Sequence, residues 1–234
     1  MSIGAVLDEA WTLFTRFFLR FFVLGLVVFA VVNLVLALIF EAVSSDDAGT
    51  ALWLLLLSLA TALVGTIWLQ GAFVYAVQDA RDGTFDATLG EVFTRVSHSI
   101  LPLLLAVLLA GVAIFVGLLL LVVPGLFLLT IWAVIAPVIV IEKKPALSAF
   151  GRSRELVRGH GWTVFGIVVI TGLLTAIAGN LLKAAFSFLP EFLEILIGST
   201  IAQAIVAPFS AIALAVTYFR LRDAHGGEPA SADA

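Results

Sequence analysis

Five basic side chains crowd a short polar stretch between two long apolar runs: Lys143, Lys144, Arg152, Arg154 and Arg158. The whole chain has only twelve Lys and Arg residues, so this stretch is its main concentration of positive charge. A guanidinium binds a carboxylate or a phosphate through two parallel hydrogen bonds, and an ammonium binds phosphate as a point charge. The chemistry that this cluster favours is therefore the binding of anions, either lipid headgroups or an acidic partner protein.

One carboxylate stands directly before these basic residues, where an apolar run ends. Glu142 can accept hydrogen bonds from Arg152 and so hold the following helix beneath the apolar segments. Two interpretations of the arginines remain open. Either they form internal salt bridges and lie beside lipid phosphates, or they form a site for a particular anionic headgroup or an acidic protein.

Catalytic patterns are absent from the sequence. His98, His160 and His225 are scattered, with no spacing typical of metal ligands, and no phosphate loop, nucleophile elbow or His-Glu-x-x-His pattern occurs. The chain has no cysteine, which excludes thiol nucleophiles and thiolate metal sites. We therefore predict a protein that is not an enzyme, needs no cofactor or metal and binds no nucleic acid.

The elements that must position the basic cluster are membrane spans. The chain is 62% hydrophobic and 12% charged, with a mean hydropathy of +1.20, and a soluble domain of this length could not bury so much apolar surface. A spanning helix needs about 20 apolar residues. Six segments meet this requirement and predict an all-α, polytopic integral membrane protein: 18–40, 51–78, 99–122, 125–142, 162–185 and 197–219.

The distribution of positive charge predicts the orientation of these spans. Eleven basic residues fall on the side that holds both termini, namely Arg16, Arg20, Arg81, Arg95, Lys143, Lys144, Arg152, Arg154, Arg158, Arg220 and Arg222. The other side has Lys183, with the acidic residues Glu41, Asp46, Asp47, Glu191 and Glu194. Cytoplasmic loops carry the excess of Lys and Arg, so we predict cytoplasmic termini in a multi-pass protein of the cell inner membrane. Setting this orientation is by itself a sufficient role for the basic cluster.

Three segments share a helical pattern and indicate an internal repeat. They are SIGAVLDEAWTLFTRF, TLGEVFTRVSHSI and PALSAFGRSRELVRG, and each is amphipathic at the helical period and precedes a pair of spans. We predict one membrane domain over 1–223 with units 2–79, 86–142 and 145–222, each a cytoplasmic interfacial helix followed by a transmembrane hairpin. The tail over 224–234 is small and polar, which is typical of disorder. The alternative is that any loop helix at a membrane surface becomes amphipathic.

The spans contain no charge near their centres but do contain polar residues and prolines. The side chains of Asn33, Gln70, Asn180 and Gln203 serve either as interhelical hydrogen-bonding groups or as the lining of a cavity. Pro137 and Pro208 each remove one backbone hydrogen bond, so each predicts a kink.

The run PGLFLLTIWAVIAPVIVIEKKPALSAFGRSRELVRGHGW carries a family pattern. Its members here are Pro124, Gly125, Trp132, Pro137, Glu142, Ala149, Arg152, Ser153, Leu156, Gly159 and Trp162. The pattern resembles the membrane domain found on some glycerophosphoryl diester phosphodiesterases of bacteria and archaea, and its six-helix relatives of unknown function. In the fused proteins the reaction belongs to a separate soluble barrel with its own metal ligands, and this sequence has no such barrel. The resemblance therefore implies the fold and leaves the activity open.

Two functions remain as hypotheses. The first is a non-enzymatic membrane-organising or accessory factor that acts through its basic cytoplasmic surface on anionic lipids or on a partner protein. The second is a transporter or lipid-translocating protein with a cavity between the three hairpins. The sequence does not predict an oligomeric state.

Overall fold

The fold is known from a computed structural model that describes residues 1–42, 48–81 and 88–226. These residues form helices and no strand. The predictions made for Asp46, Asp47 and the end of the tail after residue 226 lie outside the described residues, as does the side chain of Glu41.

The helices follow one another with short connections. Their bounds are α1 (Ile3–Arg16), α2 (Phe18–Ala42), α3 (Ala48–Arg81), α4 (Leu89–Ser97), α5 (Ile100–Leu120), α6 (Val122–Ile131), α7 (Ile135–Glu142), α8 (Ala146–Val157), α9 (Gly161–Ala184), α10 (Glu191–Leu193) and α11 (Thr200–Ala224). A π-helical turn over Glu194–Ser199 joins α10 to α11.

Six helical segments of the described chain are long and apolar enough to cross a bilayer. They are Phe18–Phe40, Thr50–Arg81, Ile100–Leu120, Val122–Glu142, Gly161–Ala184 and Glu191–Ala224. Each coincides with one predicted span. The largest difference is at the last one, which begins at Glu191 rather than at residue 197, because the helix continues back through the π-helical turn to Pro190.

Helix α11 lies at the centre of the packing. It contacts α1, α2, α3 and α9, while α2 packs against α3 and α5 packs against α6. Its approach to α2 is close, since a Cβ added at Gly25 would come within 3.3 Å of the Ala204 backbone. The carbonyl of Ala204 is the one that Pro208 cannot bond, because proline has no N–H. The helix nevertheless continues through Pro208, so the predicted kink does not interrupt α11.

The fourth span is a broken helix. Helix α6 ends at Ile131 and α7 begins at Ile135, with Pro137 in the first turn of α7. The hydroxyl of Ser153 on α8 donates a 2.8 Å hydrogen bond to the Ile131 carbonyl, which lies at the interruption. The sequence predicted a kink at Pro137, and the structure has a break in the helix just before it. At this break Ser153, from a different helix, provides the hydrogen bond that the Ile131 carbonyl lacks within α6.

Three short helices, α1, α4 and α8, each bury one face. The buried residues are Val6, Ala10 and Leu13 of α1, Val92 and Val96 of α4, and Ala146, Ala149, Ser153, Leu156 and Val157 of α8. The side chains of Leu89 and Phe93, which also belong to the predicted apolar face of α4, lie outside the described part of the chain. These helices pack beside the ends of α3, α7 and α11 at Arg81, Glu142 and Arg220, and we call this the basic end of the bundle.

Candidate functional site

Glu142 accepts three hydrogen bonds at the end of α7. Arg152 Nε lies 3.3 and 3.2 Å from its two carboxylate oxygens, and the Tyr218 hydroxyl donates to Oε1 at 3.0 Å. Only 4% of the Glu142 side chain is exposed. The structure thus brings together the two residues that the sequence paired, and it adds Tyr218 of α11. Through this carboxylate α7, α8 and α11 are held at one point.

Arg152 is occupied by carboxylates on two sides. Its Nη1 donates to Glu155 Oε2 at 3.0 Å, in addition to the contact with Glu142. Burial alone would lower the pKa of Arg152, but the Glu155 and Glu142 carboxylates outweigh it, and the pKa is raised. Two carboxylates therefore already balance the charge of this guanidinium, which acts as a structural cation.

Lys143 and Lys144 turn away from that ion pair into a cavity of about 730 Å³ at the basic end. Lys143 adopts a left-handed backbone conformation (φ 51°), which ends α7 and reverses the chain towards α8. The cavity lies between α3, α4, α5 and α7. We call it the cationic cavity, and the polar side chains used below are Arg95, His98, Lys143, Lys144, Asp79 and Tyr75.

The charges of the cationic cavity favour an anionic ligand. Its described lining has three cations, Arg95, Lys143 and Lys144, and one carboxylate, that of Asp79. Within the described residues the two lysines make no ion pair. The wall also contains Ile139 and Pro102, so the cavity offers both apolar and cationic surfaces. Such a lining suits a phosphate group that is attached to hydrocarbon.

Helix α4 positions Arg95 and His98, and its start is fixed by a capping box. The Glu91 carboxylate accepts from the Thr88 backbone N–H at 2.9 Å, and the Glu91 N–H donates to the Thr88 hydroxyl at 3.3 Å. These hydrogen bonds lower the pKa of Glu91. The Nδ1 of His98 lies 3.0 Å from the Thr94 carbonyl, which can only accept, so Nδ1 carries a proton.

The other two arginines of the sequence cluster lie elsewhere. Arg154 and Arg158 are exposed on and just after α8, outside the lining of the cationic cavity. The five basic residues therefore divide into three groups. Arg152 forms the ion pair with Glu142, Lys143 and Lys144 line the cationic cavity, and Arg154 and Arg158 are exposed. Sequence reasoning treated them as one surface and did not connect Arg95 or His98 with it.

Glu9 of α1 forms a second ion-pair centre that the sequence did not predict. Its Oε2 accepts from Arg220 Nε and Nη2 at 2.8 and 2.7 Å, and its Oε1 lies 3.3 Å from Arg81 Nε. The guanidinium of Arg81 also lies over the Phe219 ring, 4.5 Å from its centroid. Through these contacts Glu9 ties α1 to the ends of α3 and α11.

The four polar residues of the spans do not share one cavity. Asn33 donates to Thr200 Oγ1 at 3.1 Å, and with Gln203 it lines a cavity of about 560 Å³ near Lys183, at the opposite end of the bundle. Gln70 lines a different, largely apolar cavity of about 450 Å³. Asn180 departs from both expectations, since it is exposed and donates to Ala176 of its own helix at 2.9 Å.

The described residues contain no group of three His, Asp or Glu side chains that could hold a metal ion. The basic end has two carboxylate-centred ion-pair groups, at Glu9 and at Glu142, and a cavity whose described lining holds more cations than carboxylates. An excess of cations of this kind suits the binding of an anion.

The six apolar spans define a polytopic helical membrane protein. The chain belongs to a family described as a domain of unknown function, DUF7847, whose model matches residues 55–221. That match includes the cationic cavity and the Glu142–Arg152 pair, whereas α1 and Glu9 precede it. No curated protein and no solved structure matches the chain.

Proposed function

We propose that this protein binds an anionic lipid through its headgroup in the cationic cavity and acts as a non-enzymatic membrane-organising or accessory factor. The observation that carries the proposal is the convergence of Arg95, Lys143 and Lys144 on one cavity where three spans end. Among the described residues, these three cations take no part in the ion pairs of Glu9, Glu142 and Glu155. An anionic headgroup would supply the missing negative charge.

The proposed orientation places the basic end at the cytoplasmic face of the cell inner membrane. The excess of Lys and Arg on this side supports it, because positive charge is retained in cytoplasmic segments. Anionic lipids give that leaflet a negative surface potential, which attracts basic residues near the surface. The cationic cavity would then open where its ligand is concentrated.

The finer architecture that we propose is one membrane domain of three hairpins, each preceded by an amphipathic helix at the cytoplasmic surface. It is supported by the order of elements, in which α1, α4 and α8 each precede two spans. The three units differ in detail, since the second return helix is broken after Ile131 and the third begins with a π-helical turn. The resemblance to the membrane domain of some glycerophosphoryl diester phosphodiesterases is part of this proposal and carries no phosphodiesterase activity with it.

Native mass spectrometry of gently extracted protein tests the headgroup site. We expect the wild type to retain a defined anionic phospholipid and the variant Arg95→Gln/Lys143→Gln/Lys144→Gln to retain at least about tenfold less, because each charge-assisted hydrogen bond contributes about 1.5–3 kcal/mol. The matched control is Arg154→Gln/Arg158→Gln, which removes exposed cations beside the cavity and should retain the lipid. Equal retention by all three proteins would overturn the proposal.

An acidic protein is the other anion that the basic end could hold, and Arg154 and Arg158 would then take part. Cross-linking in membranes distinguishes the two ligands. A partner that is lost in the Arg154→Gln/Arg158→Gln variant and kept in the cavity variant would assign the function to the exposed surface instead of the cavity.

A transporter or lipid-translocating protein is the second candidate, and Gln70 is the observation that favours it. Its amide makes no hydrogen bond among the described residues, yet it lines an apolar cavity about 16 Å along α3 from Arg81, near the middle of a bilayer. Against it, Asn33 and Gln203 line a separate cavity. Proteoliposomes with a fluorescent anionic lipid in one leaflet test this: translocation that depends on Gln70 would favour the second candidate over the first.

A further inference from the structure

A second cavity lies deeper in the bundle, beyond the cationic cavity. Its volume is about 450 Å³, within the range of about 300–1,000 Å³ that is usual for ligand pockets. Apart from Gln70, Thr66 and Ser210, its lining is apolar, and we call it the apolar cavity. It lies within segments long and apolar enough to span a bilayer, so the surrounding solvent is hydrocarbon.

The two cavities follow each other along the same three helices. On α3 the lining passes from Tyr75 to Val74, and on α5 it passes from Pro102 to Ala106. On α7 it passes from Ile139 to Pro137. These steps cover one to four residues, which is about 1.5 to 6 Å along a helix. The two cavities are therefore neighbours along these three helices.

Small side chains create this space. The lining includes Ala106, Ala110, Gly111, Ala133, Ala136, Ala207 and Ala211. Large residues at these positions would fill the gap, and an apolar void left unfilled costs packing free energy in proportion to its volume. The break between α6 and α7 borders the same cavity, since Trp132 and Ala133 lie both at the break and in the lining. The cavity therefore favours an apolar occupant.

We infer that the apolar cavity holds a hydrocarbon chain of the same lipid whose anionic headgroup lies in the cationic cavity. This rests on the proposed headgroup site and makes it a two-part site that selects for chain as well as charge. A phosphate-bearing lipid has its charge and its chains in the order in which α3, α5 and α7 present the two cavities. A free phosphate or a soluble headgroup would leave the deeper cavity empty.

Substitution of Gly111 tests the inference on the intact protein. A Cβ added at Gly111 would meet no heavy atom within 4 Å, so Gly111→Phe can be accommodated while its ring occupies cavity space. Gly172→Phe is the matched control, since Gly172 also lies in a span and has the same open surroundings but is not part of this lining. The probes are phosphatidylglycerol with long chains, its short-chain homologue and glycerol phosphate, each measured by native mass spectrometry.

We expect the wild type and Gly172→Phe to prefer the long-chain lipid over the short-chain one by about tenfold or more, because each buried methylene contributes to binding. In Gly111→Phe this preference should fall to about twofold or less, while binding still requires Arg95, Lys143 and Lys144. If Gly111→Phe keeps the full preference, the chain site is wrong and the headgroup site stands. If the three cations are also dispensable, both are wrong.

A photolabel keeps the inference testable if Gly111→Phe does not fold. Phosphatidylglycerol with a diazirine in one chain should label residues 106–111 of α5 and 133–137 around the break, and unlabelled lipid should compete. Labelling confined to outward-facing residues such as Leu105, Leu108 and Leu109 would show that the chain stays in the bulk bilayer and would overturn the inference.

Discussion

Glu142 joins three helices, α7, α8 and α11, at the basic end. Its carboxylate is almost fully buried and receives Arg152 and Tyr218. Removing a buried, hydrogen-bonded carboxylate lowers the stability of the fold, because its former donors are left desolvated and without an acceptor. Glu155, the other partner of Arg152, is 64% exposed, and water can replace it.

The first prediction compares these two carboxylates. Glu142→Ala should lower the free energy of unfolding by about 2–3 kcal/mol, because Arg152 and Tyr218 lose a buried acceptor. Glu155→Ala should cost about 1 kcal/mol or less, as is usual for an exposed ion pair. Melting curves of the purified variants in detergent measure both. A Glu155→Ala effect as large as that of Glu142→Ala would show that the burial of Glu142 does not matter.

For contacts between single residues, the sequence was informative only where the two residues lie close together in the chain. Glu142 and Arg152 are ten residues apart, and one turn between two helices is enough to bring them together. Arg95 lies far from Lys143 in the chain, and only the packing of α4 and α5 against α3 and α7 places both in one cavity. Periodicity within a segment cannot reveal which segments become neighbours.

Two of the helices depend on hydrogen bonds made at their ends. Helix α4 has the Thr88–Glu91 capping box, and the break between α6 and α7 has the Ser153 hydroxyl. Both places are where helical backbone groups lack partners within the helix. The spans themselves were predicted within a few residues, because apolar length decides them, whereas the break at Ile131 depends on a hydroxyl from α8 and was not predicted.

The second prediction concerns the pH dependence of α4. The pKa of Glu91 is lowered in the fold by the hydrogen bonds from Thr88, so its contribution to stability is present above the ordinary value of 4.5 and is lost as the pH falls through the lowered pKa. Hydrogen exchange over residues 88–97 should therefore be slower in the wild type than in Glu91→Gln at neutral pH. The difference should vanish in acid. Residues 146–157 serve as the internal control and should not distinguish the two proteins.

The third prediction concerns the broken span. Ser153→Ala leaves the Ile131 carbonyl without its hydroxyl donor in a buried position, so it should cost about 1–3 kcal/mol of stability. Ser148→Ala on the same helix is the control, because Ser148 is exposed and donates only to Pro145 one turn earlier. Thermal unfolding of the two variants decides the matter, and equal melting temperatures would mean that the break does not depend on α8.

At the scale of the whole molecule, one carboxylate joins the start of the chain to its end. Glu9 of α1 pairs with Arg81 at the end of α3 and Arg220 near the end of α11. The family match begins at residue 55, so this N-terminal helix lies outside it. The amphipathic pattern predicted that α1 would pack by its apolar face but gave no sign that a residue beside that face would reach two distant arginines.

The fourth prediction tests this connection. Glu9→Gln removes the charge that Arg81 and Arg220 share, so α1 should be held less firmly and its amides over residues 3–16 should exchange several times faster. Asp8→Asn is the matched control, since Asp8 is exposed on the same helix. Exchange at the Glu142 cluster should be unchanged in both variants, and an equal increase in the control would mean that Glu9 has no special part.

The π-helical turn over Glu194–Ser199 affects how the chain can gain or lose a residue in evolution. Such a turn winds more loosely than an α-helix and accommodates an additional residue within one helical segment. Loss of one codon there would restore regular winding, while α10 kept its direction and Thr200 kept its place against Asn33. The last span therefore contains a point at which the gain or loss of one residue is absorbed locally, and the core on either side of it stays intact across generations.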